Sequence, residues 1–190
     1  MHEPLLAYFK NYSVTPLTEE EINTIKKIFI PKTFRKRQYL LQEGDVCKYM
    51  AFITKGAMRQ YTVDKKGVEH IVNLTIENWW AGDRESFVQL TTSPFFIDAW
   101  EETDVLMLSK ADSIILESIP AFQEARINMN YKHSFALLNR LKNYTTLPAE
   151  QRYMELEKSY PEFLQRFPQH IIASFLGVTK ETLSRVRKKT

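Results

Sequence analysis

Four cations fall within residues 185–189 of this 190-residue chain: Arg185, Arg187, Lys188 and Lys189. Just upstream, Lys180, Glu181, Ser184, Arg185 and Lys188 recur at i, i+1, i+4, i+5 and i+8. That spacing puts them on one face of a helix, where a major groove could meet them. The surrounding charge is uneven. Residues 64–112 hold ten acidic and four basic side chains, whereas residues 176–190 hold five basic and one acidic. The net charge of +3 hides this separation. A basic end on a body with an acidic stretch points to a polyanionic partner.

No other constellation supports catalysis. The four histidines, His2, His70, His133 and His170, are scattered, and Cys47 is the single cysteine. Structural zinc, an iron–sulfur cluster and a disulfide framework all need more ligands than this. Haem ligation by His70 or Cys47 is the remaining metal chemistry, and a lone histidine is far more often structural. No Ser/His/Asp or Cys/His signature occurs. The expectation is a non-enzyme with no metal and no cofactor.

The cationic face must be positioned, and the apolar register shows how. Ile172, Ala173, Leu176, Gly177, Val178, Leu183 and Val186 occupy the seven positions a helix-turn-helix requires. The pattern predicts one helix over residues 169–176 and Gly177 left-handed at its end. Thr179 then caps a second helix that starts at Lys180. Small Ala173 lets the helices cross closely, and Leu183 and Val186 face the first helix. Upstream, Pro161 and Pro168 break further helical runs, and residues 146–148 read as a hinge. Before the hinge, Ile127, Tyr131, Phe135, Leu138 and Leu141 recur at three and four along a helix predicted over residues 119–145. Such an apolar seam pairs with its twin, so a homodimer is expected.

Residues 33–110 change period. Short aromatic and β-branched runs are separated by Gly44-Asp45, Lys55-Gly56, Lys66-Gly67 and Gly82-Asp83, as in a β-sandwich or barrel. "VDKKGVE" reads as a hairpin tip with Gly67 at positive φ. Ahead of the strands, Thr18 and Glu21 form a capping box. The expected fold class is α+β in three parts. Residues 1–112 carry N-terminal helices and a β-roll, residues 113–147 the long helix and hinge, and residues 148–190 the helix-turn-helix head. The N-terminus lacks the basic and apolar pattern of a signal peptide, and no apolar run reaches the length of a membrane span. A cytoplasmic protein without membrane contact is expected.

"IASFLGVTKETLSRVRKK", together with "EGD" and "YMAFITKGAMRQYTVDKKGVE", resembles the cyclic-AMP receptor and fumarate–nitrate regulator (Crp/Fnr) family of bacterial transcription factors. The resemblance covers nearly the whole chain. It implies a cyclic-nucleotide-binding-like β-roll or jelly roll, a long dimerisation helix, and a head that docks on a pseudo-palindromic DNA duplex. RNA polymerase would be a further partner. By the same resemblance, Lys180, Glu181, Ser184 and Arg185 form the base-reading face. Glu181 would accept from a cytosine amino group and Arg185 would bind guanine. Thr179, Arg187, Lys188 and Lys189 would hold phosphates.

The chain departs from the family in the roll. In cyclic-nucleotide-binding members, a short helix carries Gly-Glu and is followed by an Arg for the phosphate. Here Arg84 replaces the Gly, Glu85 occupies the ribose position, and no Lys or Arg occurs between Arg84 and Lys110. Missing that charge-assisted contact costs about 1.5–3 kcal/mol. Cyclic AMP is therefore not expected to bind in the usual way. The candidate effector pocket comprises Arg84, Glu85, Trp80, Phe87 and Phe95, with Phe96 and Trp100 also as lining. Either it takes a less charged effector or its aromatics fill it, and filling is favoured. The chain also ends soon after the recognition helix, so a head without a wing is expected. The alternative function is an effector-binding or protein-interaction module whose head no longer reads DNA.

Overall fold

The computed structural model describes residues 1–188. Two helices, α1 (Glu3–Tyr12) and α2 (Glu19–Ile28), precede the strands β1 (Ile30–Phe34), β2 (Tyr39–Leu41), β3 (Tyr49–Lys55), β4 (Met58–Val63), β5 (Glu69–Thr75) and β6 (Trp80–Ala81). A short helix α3 (Arg84–Gln89) interrupts them before β7 (Phe96–Ala99) and β8 (Thr103–Ser109). The helices α4 (Lys110–Leu116), α5 (Pro120–Thr146), α6 (Ala149–Ser159), α7 (Pro161–Arg166), α8 (Gln169–Leu176) and α9 (Lys180–Arg187) follow.

Local chemistry sets several of these boundaries. Thr18 and Glu21 close the predicted capping box on α2. The β4–β5 hairpin turns through Gly67 at φ 81°, and the Asp64 carboxylate accepts from the backbone N–H groups of Lys66 and Val68. Asp83 reads as a turn signal in the sequence but caps α3 by accepting from the N–H groups of Glu85 and Ser86. The long helix starts at Pro120, whose missing N–H costs nothing at a first turn.

The strands make two antiparallel four-stranded sheets, ordered β1-β8-β3-β6 and β2-β7-β4-β5. Alternation along each strand distributes side chains between the sandwich interior and the outer faces. On β7, Ile97 and Ala99 point inward, to a core that includes Phe34, Ile53, Met58, Phe87 and Val105. Phe96 points outward and packs against the C-terminal head. The outer face of the first sheet contributes Phe52, Leu106 and Leu108 to a second core with α1, α2 and the start of α5. The outer face of the second sheet contributes Ala57, Tyr61, Ile71 and Leu74 to a third core with α6, α7, α8 and α9. Both sheets are thus covered on both faces. The residues connecting α5 to α6 are not the only tie between roll and head.

The N-terminal segment is pinned to α5 by one carboxylate. Glu124 accepts from the hydroxyls of Thr15 and Ser13 and from the N–H groups of Thr15 and Val14. These bonds, the Thr15 hydroxyl first, hold its pKa down at about 2. A depressed carboxyl pKa gives stability that is present above the unfolded value, about 4.3, and is lost as pH falls toward 2. Wild type should therefore lose stability over pH 4.5 to 2 more steeply than Glu124→Gln. Thermal melts across that range should show the two converging at low pH, and parallel curves would contradict this role.

Candidate nucleic-acid interface and sensor cleft

The head forms as its register predicts. Gly177 is left-handed at φ 64° and closes α8, with the Val178 N–H donating to the Ala173 carbonyl at 2.9 Å. An added Cβ there would overlap the Tyr144 ring of α5. The Thr179 hydroxyl accepts from the Thr182 N–H at 3.2 Å and caps α9. Ile172, Ala173, Leu176, Leu183 and Val186 are buried together. On the other side of α9, Lys180, Glu181, Arg185, Arg187 and Lys188 are exposed, as is the capping Thr179, and Ser184 is half-buried. Lys189 lies outside the described residues. Glu181 and Arg185 make no ion pair with each other, and among the described residues the one hydrogen bond of the Arg185 guanidinium is a 3.4 Å contact to the Thr182 hydroxyl. The Glu181 carboxyl is held below the usual carboxylate range by its own backbone N–H and then by the Thr179 hydroxyl. It is ionised and able to accept at neutral pH. Among the described residues the head has no strand.

Residues that sequence reasoning missed hold this head on the roll. Arg140 of α5 donates to the Val72 carbonyl of β5 at 2.6 Å and to the Phe175 carbonyl of α8 at 3.2 Å. Its guanidinium also lies 3.9 Å from the Phe175 ring centre. Arg152 of α6 donates to the Leu176 carbonyl at 2.8 Å. Two cations therefore satisfy carbonyls at the C-terminus of α8, where a helix leaves acceptors unpaired and favours positive charge. Ser174 of α8 accepts from the Ile71 N–H and donates to the Glu69 carbonyl. Arg166 pairs with Glu77 at 2.7 Å and Glu101 at 3.2 Å, and the Trp100 indole N–H donates to the Arg166 carbonyl. Beneath this contact Arg59 forks onto both oxygens of buried Asp98, at 2.8 and 2.9 Å. No local pattern announces such residues, because each bridges elements far apart in sequence. Arg140→Met should destabilise the fold by about 2 kcal/mol, since two carbonyls lose a charged donor. Hydrogen exchange should then speed up in α8 and β5 together, and unchanged protection there would contradict the bridge.

The expected effector pocket is rearranged. A cleft of about 450 Å³ opens beside α3, lined by Glu43, Gly44, Asp83, Glu85, Ser86, Thr91, Thr92, Ser93 and Pro94. Of the five candidates, Glu85 alone lines it. The Arg84 guanidinium instead donates to the Asn130 side chain of α5 at 2.7 Å. Trp80 packs among Tyr8, Phe29 and Phe52 beneath the N-terminal helices. Phe87 is buried in the sandwich core and Phe95 is half-exposed. Phe96 and Trp100 face the head. The aromatics neither line the cleft nor fill it, because their places on strand and helix direct them to other faces. Cys47 is buried, where burial pushes its thiol pKa up, and His70 is exposed beside Asp64. Among the described residues, no group of three or more His, Cys, Asp or Glu is placed to hold a metal. No helix among them is long and apolar enough to cross a membrane.

The sandwich, its short α3 and the run into α4 are also matched by sequence. The family model for the cyclic nucleotide-binding domain covers residues 31–114. Around those residues the fold is similar to that of several solved structures. The c-di-GMP-responsive global regulator CLP of Xanthomonas campestris superposes with a TM-score of 0.68 at 15% identity, covering 88% of this chain and 89% of that one. A CooA mutant from Carboxydothermus hydrogenoformans gives 0.69 at 19% identity, covering 90% and 80%. The catabolite activator protein of Thermus thermophilus gives 0.56 at 18% identity, covering 91% and 83%. No curated protein sequence matches the chain significantly. The matched residues lie between the N-terminal helices on one side and the helix-turn-helix head on the other.

Proposed function

We propose that the chain is a homodimeric, sequence-specific DNA-binding transcription regulator of the cytoplasm. The observation that carries this reading is the division of α9: Leu183 and Val186 anchor it in the head core, and Lys180, Glu181 and Arg185 are left free on its outer face. A helix so presented enters a major groove with its N-terminal residues against base edges. The exposed seam of α5 supports the dimer, since Tyr131, Phe135, Leu138 and Leu141 are each about 60% exposed. Two such heads would meet half-sites about 34 Å apart on a pseudo-palindrome. RNA polymerase is the natural further partner of a bound regulator.

The cleft supports a sensor that does not take cyclic AMP in the family's usual way. Glu43, Asp83 and Glu85 line it and no Lys or Arg does. A phosphate there would face carboxylates without a cation. Calorimetric titration with cyclic AMP should give no heat, and micromolar binding would overturn this part. For DNA the test is selection from a random duplex pool. Recovery of one two-fold-symmetric sequence supports the proposal. Recovery of no sequence would favour a module whose head no longer reads DNA.

A further inference from the structure

The acidic cleft leaves one cation of the roll unused. Arg84 opens α3, is half-buried and does not line that cleft. Its guanidinium donates to the Asn130 side-chain oxygen at 2.7 Å, and among the described residues it has no other acceptor. Asn130 brings no charge. No described carboxylate pairs with Arg84, and its neighbour Glu85 lines the cleft instead. Burial pushes the Arg84 pKa down, yet a guanidinium keeps its proton at neutral pH. A half-buried cation with no counter-ion and idle donors is unfavourable.

The groups around it are donors as well. Tyr8 of α1 is half-buried and close enough to feel the Arg84 charge. The Trp80 indole N–H of β6 lies beside the Tyr8 oxygen, is buried and completes no hydrogen bond among the described residues. With an N–H against its oxygen, the Tyr8 hydroxyl is left to donate, and no described acceptor meets its proton. Asn130 turns its oxygen to Arg84, so its amide N–H groups are further donors. His133, one turn along α5, is kept neutral, because partial desolvation and then the Arg84 charge hold its pKa down. The floor is aromatic, with the Tyr8 ring 5.2 Å from Phe52 and 4.6 Å from Tyr12. Such surroundings strengthen a charge-assisted bond. Four elements, α1, β6, α3 and α5, thus meet in a cluster that holds one positive charge and more donors than acceptors.

We infer that the junction of α1, α3 and α5 binds a small oxyanion, a phosphate or a carboxylate, with Arg84 as its charge partner and the Tyr8 hydroxyl as a second donor. The anion supplies the acceptor oxygens and the negative charge that the cluster lacks. The site is separate from the cleft, where Glu43, Asp83 and Glu85 would repel the same ligand. A bound oxyanion ties α1 and α3 to α5, the helix that carries the apolar seam. The inference does not depend on the DNA-binding reading, since no residue of the head takes part in it.

The test titrates the full-length protein in chloride buffer with inorganic phosphate and, separately, with succinate, at constant ionic strength. Calorimetry should give a dissociation constant below about 1 mM for at least one of them, and the tighter probe tells phosphate from carboxylate. Arg84→Gln, which can keep the bond to Asn130, should bind that probe at least roughly tenfold more weakly. Tyr8→Phe should bind it roughly three- to tenfold more weakly. Lys158→Gln, which removes an exposed charge from α6, should bind as wild type does. Without either probe Arg84→Gln should melt no lower than wild type, because the charge it removes has no counter-ion. With the probe, wild type should gain stability and Arg84→Gln should not. The inference is overturned if neither anion binds wild type, or if Arg84→Gln binds as tightly. It is also overturned if Lys158→Gln loses as much as Arg84→Gln, which would mean general charge attraction. An Arg84→Gln that melts well below wild type without probe would make Arg84 a structural cation and overturn it too.

Discussion

Arg185→Ala should bind the selected site no better than random duplex, while keeping weak, salt-sensitive affinity for both. Arg185 is exposed on the outer face of α9, and its one hydrogen bond among the described residues is a long contact to Thr182. The guanidinium fork is therefore available to guanine O6 and N7. A good bidentate pair discriminates against the wrong base by about 1–3 kcal/mol, so specific affinity should fall roughly ten- to hundredfold. The chain does not need this side chain to fold, since Leu183 and Val186 hold the helix. Lys188→Ala is the control. It should weaken binding to every sequence alike and flatten the salt slope by about one. A selection profile identical for wild type and Arg185→Ala would remove Arg185 from the base-reading role.

Leu138→Glu should turn the dimer into a folded monomer. Leu138 is 63% exposed at the middle of the α5 seam, between Phe135 at 60% and Leu141 at 61%. From Ile127 to Leu141 the five seam positions average 3.5 residues apart, the period of a two-stranded coiled coil. Burying a leucine there is worth about 1.5–3 kcal/mol, and two-fold symmetry counts it twice. Glutamate would lose that burial and place two like charges near the dimer axis. The dimer dissociation constant should rise more than about a hundredfold, which sedimentation would read directly. Affinity for the two-half-site duplex should fall by about 10²–10⁴ with loss of the second head. Melting should hardly change, because the chain alone leaves Leu138 in solvent. A wild-type monomer, or a glutamate variant that stays dimeric, would contradict the seam.

The elements with a strong period were legible. The long helix expected over residues 119–145 forms as Pro120–Thr146, and the seven-residue register of the head gives α8, Gly177 and α9 where the spacing puts them. The sensor pocket was not legible in the same way. Period two assigns Phe96 and Ile97 to opposite faces of β7 but cannot say which face is the interior when both are buried. Because the head covers one outer face and the N-terminal helices the other, Phe96 and Trp100 are partly buried against the head and Trp80 partly buried beneath the N-terminal helices. Arg84 shows the same limit. Its charge suggested a ligand, and its partner proved to be Asn130 on a helix far along the chain.

Among the described residues the strand β5 ends its sheet, with β4 on one side and no strand on the other. Its outward N–H and C=O groups at Ile71 and Val72 are met by Ser174 and Arg140. A bare strand edge is a template for pairing with another chain. The head is therefore also a guard: lifting it away would leave an adhesive border beside the apolar face of Tyr61, Ile71 and Leu74. Any rearrangement of the head is accordingly confined to sliding or tilting that keeps this border shielded, since full release would invite aggregation.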